Sequence, residues 1–356
     1  MEIKRTLLPA NKLKPLFSDP LKLQFGRNFT DYMFTMQWFK NKGWHSPEIK
    51  PYGPLLMDPA CNVLHYSQEV FEGLKAYKSA AGEILMFRPR DNARRLNMSL
   101  RRMCMPELPE DYFMESLSEL LRLEQRWIPT VVGTSLYIRP TAIGTEAALG
   151  VRPSDEYLYY VILSPVGPYF AEGFNPVGLY VSDDYVRAVS GGTGEAKTGG
   201  NYAGSLLASQ LAKEKGYSQV LWLDAKERRY IEEVGAMNIF FVIDGKLVTP
   251  KLTGSILHGI TRKSVIQIAP ELGMPVDERS LTIDEVVEGI REKRVTECFG
   301  AGTAAVISPV SKINYHDKEY LISETTGPCA LKLFDTITGI QSGRIPDKYG
   351  WVVTVK

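Results

Sequence analysis

Arg187-Ala-Val-Ser-Gly-Gly-Thr-Gly-Glu-Ala-Lys197-Thr-Gly-Gly-Asn-Tyr202 sets five glycines and one lysine in sixteen residues, with a helical pattern directly after. Glycines at this density let the backbone take positive φ and let a bulky group approach closely, at an entropic cost that a plain connector does not require. The loop therefore reads as the wall of a ligand site. Lys197 has small neighbours in Ala196 and Thr198, with Arg187 upstream and Tyr202 downstream. Those neighbours suit a Schiff-base lysine: small residues admit a planar cofactor, an arginine neutralises a phosphate and a phenol donates to a phenolate oxygen. A solvated lysine in a flexible loop fits the same letters, since most lysines are exposed. Other glycine signatures fail. No Gly-Lys-Ser/Thr closes a four-residue spacer, and the spacing is not Gly-x-Gly-x-x-Gly.

The 356 residues are 44% hydrophobic and 23% charged, which describes a globular chain long enough for two cores. A formal charge of +1 offers no electrostatic case for nucleic acid or an anionic membrane, so the expected partner is a small molecule. Cys61, Cys104, Cys298 and Cys329 lie far apart and fit neither a disulfide framework nor a zinc site; they read as buried thiols. His45, His65, His258 and His316 lack ligand spacing, and no metal is expected. The first residues carry no apolar signal core, and no run approaches the ~18 apolar residues of a membrane span, so a cytoplasmic location is expected.

Outward from the loop, Asn201 to Gly216 has Leu206, Leu207, Leu211 and Ala212 at helical spacing. Upstream, Val177 to Val181 and Tyr185 to Val189 read as strands that deliver the lysine. Pro165 to Pro176 has the proline and glycine density of a linker, which gives domains at 1–164 and 177–356. In the first domain, residues 1–24 read as an extended arm and Phe25 to Trp38 as a buried strand. His65 to Tyr77 leads into a hairpin turning at Ala81-Gly82. Two helices follow, Asp91 to Met105 and Glu110 to Trp127, the first with Arg94, Arg95, Arg101 and Arg102. In Thr134 to Thr141 strand geometry points Tyr137 and Arg139 to one side, where they either cap a buried charge or bind a carboxylate.

In the second domain, Ile231 to Val242 reads as a strand interrupted at Glu233-Val-Gly235. A glycine-led helix opens at Ile260 and Thr261, whose amides suit an anion. Phe299-Gly-Ala-Gly302-Thr303-Ala304-Ala305 is a second glycine-flexed turn that suits phosphate or carboxylate. Thr325 to Ser342 closes the chain as a packing helix.

The lysine loop, with Gln219-Val-Leu-Trp-Leu-Asp and Tyr230-Ile-Glu-Glu-Val-Gly-Ala-Met-Asn238, closely resembles the branched-chain amino-acid aminotransferases, pyridoxal-phosphate enzymes of fold type IV. The match runs from Phe25 to Trp351. The resemblance implies a mixed α/β, two-domain fold with the active site at the domain interface, pyridoxal 5'-phosphate on Lys197, and a homodimer. It implies transfer of the amino group of leucine, isoleucine or valine to 2-oxoglutarate, with amino acids and 2-oxo acids as the partners.

Residue by residue, the resemblance makes Glu233, rather than Glu232, the partner of the pyridine nitrogen and Arg95 a phosphate contact. Arg187, Tyr202, Ile260, Thr261 and Thr303 complete the cofactor set. Phe25, Tyr66, Phe71, Tyr137, Arg139, Ala304 and Ala305 form the substrate wall. Some family members carry a Cys-x-x-Cys where this chain has Ala305 and Ser308, so thiol regulation there is not implied. Two rivals share part of the pattern: another fold-type-IV enzyme, such as a D-amino-acid transaminase or aminodeoxychorismate lyase, and a phosphate-binding module without catalysis.

Overall fold

The computed structural model describes residues 1–169 and 174–356. They fall into two compact units: Met1–Ala171 with Ala196–Gly199 and Gly339–Lys356, and Glu172–Glu195 with Gly200–Thr338. The units differ from the division read from sequence in two places. The lysine strap Ala196–Gly199 and the C-terminal stretch both group with the first unit, the latter because Val352–Val355 pairs antiparallel with Ile84–Phe87. Part of the expected linker, residues 170–173, lies outside the described residues.

The first unit is a nine-stranded sheet, counted over the described residues, with helices packed on it. Tyr32–Phe39, Glu156–Val166 and Ser135–Gly144 run side by side, and Leu74–Lys78 with Ile84–Phe87 forms the expected hairpin. Helices Pro89–Arg102 and Glu110–Leu123 place Leu96, Leu100, Phe113, Leu117, Leu120 and Leu121 at three- and four-residue spacing. All six are buried in one cluster with Phe34, Tyr159 and Val161 of the sheet. Each such side chain stabilises the fold by about 1.5–3 kcal/mol. The strand expected from Phe25 begins at Tyr32; Phe25 precedes it in a loop and is half exposed.

The second unit is built on another nine-stranded sheet, again over the described residues. Ile231–Val234 pairs with both Gln219–Leu223 and Met237–Ile243, so six strands close on themselves around an apolar filling that includes Leu221, Ile239, Phe241 and Ile313. The interruption read in Ile231 to Val242 is a hairpin. Gly235, at φ +54, turns the chain so that Val234 faces Met237 and Glu233 faces Asn238.

Three local readings fail here. Tyr185 to Val189 is irregular, with both ends exposed to solvent. The helix after the lysine is broken at Gly204–Ser205 into Gly199–Ala203 and Leu206–Glu214, and Leu206 and Leu207 are exposed while Ala208 and Ala212 are buried. The buried stripe therefore lies elsewhere on the helix than the leucines suggested. Cys104 is exposed; the other three cysteines are buried. Among the described residues no helix is long and apolar enough to cross a membrane.

Candidate active site

Lys197 sits in the first unit on a short strap clamped through its backbone. Its N–H donates to Ser99 Oγ at 2.9 Å, its carbonyl accepts from Phe71 N at 3.0 Å, and Thr198 Oγ1 donates to Glu69 O at 2.7 Å. Ser99 in turn donates to Arg95 O. The strap runs so close to Glu69 that a Cβ on Gly199 would lie 2.1 Å from Glu69 Oε1 and would push that carboxylate aside.

The side chain then faces an aromatic wall. Lys197 Nζ and Arg139 Cζ each lie 4.7 Å from the Phe71 ring centroid. Arg139 Nη2 donates to Tyr137 Oη at 3.0 Å, as expected of two residues on one side of a strand, and Phe25 packs edge-on to Tyr137 at 4.8 Å. The structure thus brings Phe25, Phe71, Tyr137, Arg139 and Lys197 into one cluster. Tyr66 stands apart from it in the short helix Asn62–Tyr66, its ring beside His65 and its hydroxyl donating to Leu149 O.

Behind the wall lies a buried charge network. Glu72 takes two hydrogen bonds from Arg95, at 2.7 and 2.8 Å, and one from Asn92 Nδ2 at 2.7 Å. Burial pushes the Glu72 carboxyl up, but the Arg95 charge and hydrogen bonds, helped by Lys197, bring it below its ordinary value. Glu69 goes the other way: burial raises it, against the Gly199 N–H and the charges of Arg139 and Lys197. Arg95, read from sequence as a phosphate contact, is thus engaged by a carboxylate in the structure, because a buried guanidinium needs a counter-charge.

In the second unit Arg187, Tyr202, Glu233, Ala236 and Leu257 line one slot. Glu233 is almost fully buried. Its Oε1 accepts from Asn238 Nδ2 at 3.0 Å and Leu257 N at 3.3 Å, and its Oε2 meets Arg187 Nε at 2.5 Å. Arg187 Nη2 donates to Gly194 O and Ser255 O. The arginine expected to neutralise a phosphate is, in this structure, held by Glu233 and two carbonyls.

Strand alternation sends Glu232 to the other face of Ile231–Val234, away from this slot. Ile260 and Thr261 are buried in the first turn of helix Ile260–Ile268, capped by Gly259, and the first four N–H groups of a helix have no intrahelical acceptor. Thr303, Ala304 and Ala305 form the turn between Val295–Gly302 and Val306–Tyr315. Asn238 is in register with Ala301, two residues before that turn.

Sequence reading missed four supporting residues: Glu72, Asn92, Ser99 and Asn238. One left a trace, because Asn238 is a polar position inside an otherwise apolar strand-like run, whereas Glu72 stands between Glu69 and Lys75. Ser99 and Asn92 lie on a helix with no such contrast.

A lysine on a glycine strap, and a buried carboxylate fixed by arginine and asparagine beside a phenol, are what a pyridoxal-type transferase requires of its chain. The amino-transferase class IV family model matches residues 69–313, and the chain belongs to that family. Among curated proteins it is 53% identical to branched-chain-amino-acid aminotransferase 2 of Bacillus subtilis over 354 residues, 99% of this chain and 97% of that one. Among solved structures it is similar to the branched-chain amino acid aminotransferase from Escherichia coli, with TM-score 0.72 and 30% identity over 92% of this chain and 99% of the other. The Thermobaculum terrenum branched-chain amino acid aminotransferase, solved in its pyridoxal-phosphate (holo) form, matches with TM-score 0.74 and 26% identity over 92% and 98%.

Proposed function

We propose that this protein is a pyridoxal-phosphate-dependent aminotransferase that moves the amino group between L-leucine, L-isoleucine or L-valine and 2-oxoglutarate. The observation that carries the reading is the placement of Lys197 Nζ and the Arg139 guanidinium against one aromatic ring, each 4.7 Å from its centroid. A primary amine, an apolar wall and a carboxylate-binding cation together suit an amino acid whose side chain is either apolar or acidic. The donor set also fits the cofactor: Glu233 is a buried carboxylate and shares its slot with the Tyr202 phenol.

Bound pyridoxal phosphate supplies an aldehyde and an electron-withdrawing ring that stabilises negative charge at the substrate α-carbon. Lys197 anchors it and takes the proton from that carbon. Glu233, steadied by Arg187 and Asn238, holds a proton at the ring nitrogen. Tyr202 would donate to the ring's phenolate oxygen, while the Ile260 and Thr261 amides and Thr303 Oγ1 would take the phosphate. Phe25, Phe71, Tyr137, Ala304 and Ala305 exclude water around an apolar side chain, and Arg139 meets the distal carboxylate of glutamate or 2-oxoglutarate.

Both substrates then share one wall. Borohydride reduction of the purified protein followed by peptide mapping is expected to find the pyridoxyl group on Lys197, and Lys197→Ala to abolish it; a label on another lysine refutes the assignment. A panel of amino acids with 2-oxoglutarate tests the substrate class.

The protein is further inferred to work as a homodimer in the cytoplasm. In support of the dimer, Leu64, Leu149 and Val151 are large apolar side chains exposed on the first unit. Sedimentation velocity is the check, and a monomer at working concentration refutes it.

A further inference from the structure

The strand Ile231–Val234 carries two adjacent glutamates on opposite faces, and only Glu233 belongs to the slot described above. Glu232 lines a separate cavity of about 430 Å³ in the second unit, with Ile231, Ile256, Pro250 and Val189 among its walls. That volume accommodates a small organic molecule.

Three observations define what such a molecule must offer. First, Glu232 is 5% exposed, and its Oε2 has no hydrogen-bond partner. A buried acceptor left unpaired is destabilising, so a donor at this oxygen favours the occupied state. Second, the hydroxyls nearest Glu232 and the other carboxylate of the lining are already engaged. Glu232 Oε1 accepts from Ser255 Oγ, Ser255 Oγ shares a hydrogen bond with Thr253 Oγ1 at 2.9 Å, and Ser190 Oγ donates to Thr253 O at 3.0 Å. Asp224, the second carboxylate of the lining, accepts from the backbone N–H groups of Lys226, Glu227, Arg229 and Tyr230. Third, the nearest buried cation is spoken for, since Arg187 lies in the ion pair with Glu233. Lys226 and Lys251, also in the lining, are exposed and screened by solvent.

One buried carboxylate oxygen thus lacks a donor in a cavity whose other buried polar residue, Ser255, is already engaged. We propose that this cavity binds a small alkylammonium compound, whose N–H donates to Glu232 Oε2 and whose hydrocarbon body packs on Ile231, Ile256, Pro250 and Val189. The site is distinct from the one assigned to substrate and cofactor, because its carboxylate points to the opposite face of the strand. A cation there also offsets the burial that pushes the Glu232 carboxyl up against the opposing charge of Arg187.

The probe is N,N-dimethylbutylamine, a tertiary amine that is cationic at neutral pH and cannot condense with an aldehyde, so it reports this cavity and not Lys197 chemistry. Titrated calorimetrically into the holoenzyme, it is expected to bind saturably at one site per chain. 3-Methylbutanol, similar in size but uncharged, is expected to bind far more weakly. Glu232→Gln keeps the acceptor for Ser255 Oγ and places an amide N–H2 where the free oxygen stood; it is expected to weaken the amine by about tenfold or more. Ser280→Trp, at an exposed residue of the lining, narrows the cavity and is expected to weaken binding while leaving the carboxylate intact. Absence of saturable binding at millimolar amine, an affinity unchanged in Glu232→Gln, or an affinity unchanged in Ser280→Trp each overturns the proposal.

Discussion

Replacing Glu72 by glutamine isolates the charge network that underlies the lysine wall. The Glu72 side chain is 0% exposed and that of Arg95 6%, and the two meet through paired hydrogen bonds at 2.7 and 2.8 Å. Glutamine keeps the shape, but it removes the counter-charge and turns one acceptor into a donor facing the guanidinium. Breaking a buried pair by neutralising one partner costs about 3–5 kcal/mol, because the remaining charge cannot return to water. That is a large share of the ~5–15 kcal/mol by which folded domains are stable.

Urea unfolding of the wild type, Glu72→Gln and the double variant Glu72→Gln/Arg95→Met provides the assay. The single variant is expected to lose about 3–5 kcal/mol, and the double variant to recover part of it because no unpaired charge is left. The pH dependence has a definite sign. The folded carboxyl titrates below its unfolded value, so its contribution is complete above that value and is lost as pH falls through the lower, folded one. A single variant within about 1 kcal/mol of wild type, or a double variant less stable than the single, refutes the reasoning.

Further predictions follow from the same geometry. Arg139→Leu is expected to impair the half-reaction with glutamate and 2-oxoglutarate far more than that with leucine, because only the former presents a distal carboxylate; equal losses in stopped-flow measurements make Arg139 structural. Glu233→Gln is expected to retain cofactor while losing on the order of 3–4 kcal/mol of transition-state stabilisation, measured as single-turnover rate. Gly194→Ala is expected to destabilise the second unit, since its Cβ would lie 2.3 Å from Ser255 O, a backbone atom that cannot swing away; circular-dichroism melting checks this.

Much of this protein is legible in its sequence because the signals are local. The glycine-flanked lysine, the hairpin at Ala81-Gly82, the alternation that sets Tyr137 beside Arg139 and the glycine-led helix start at Ile260 are all set by backbone preferences and side-chain period within a few residues. Tertiary structure decided what depends on residues far apart in the chain. Only packing shows that Lys197 is clamped by Ser99 and Phe71, that Arg95 is held by Glu72 and that Arg187 is held by Glu233. It also overruled local pattern after the lysine, exposing Leu206 and Leu207, because no period within one segment specifies which face a neighbouring strand will cover. Glu232 and Glu233 make the same point most sharply. They are identical in type and adjacent in sequence, but the pleat sends one to the slot it shares with Arg187 and Tyr202 and the other to a separate cavity, and which face borders which is fixed only when six strands have closed around them.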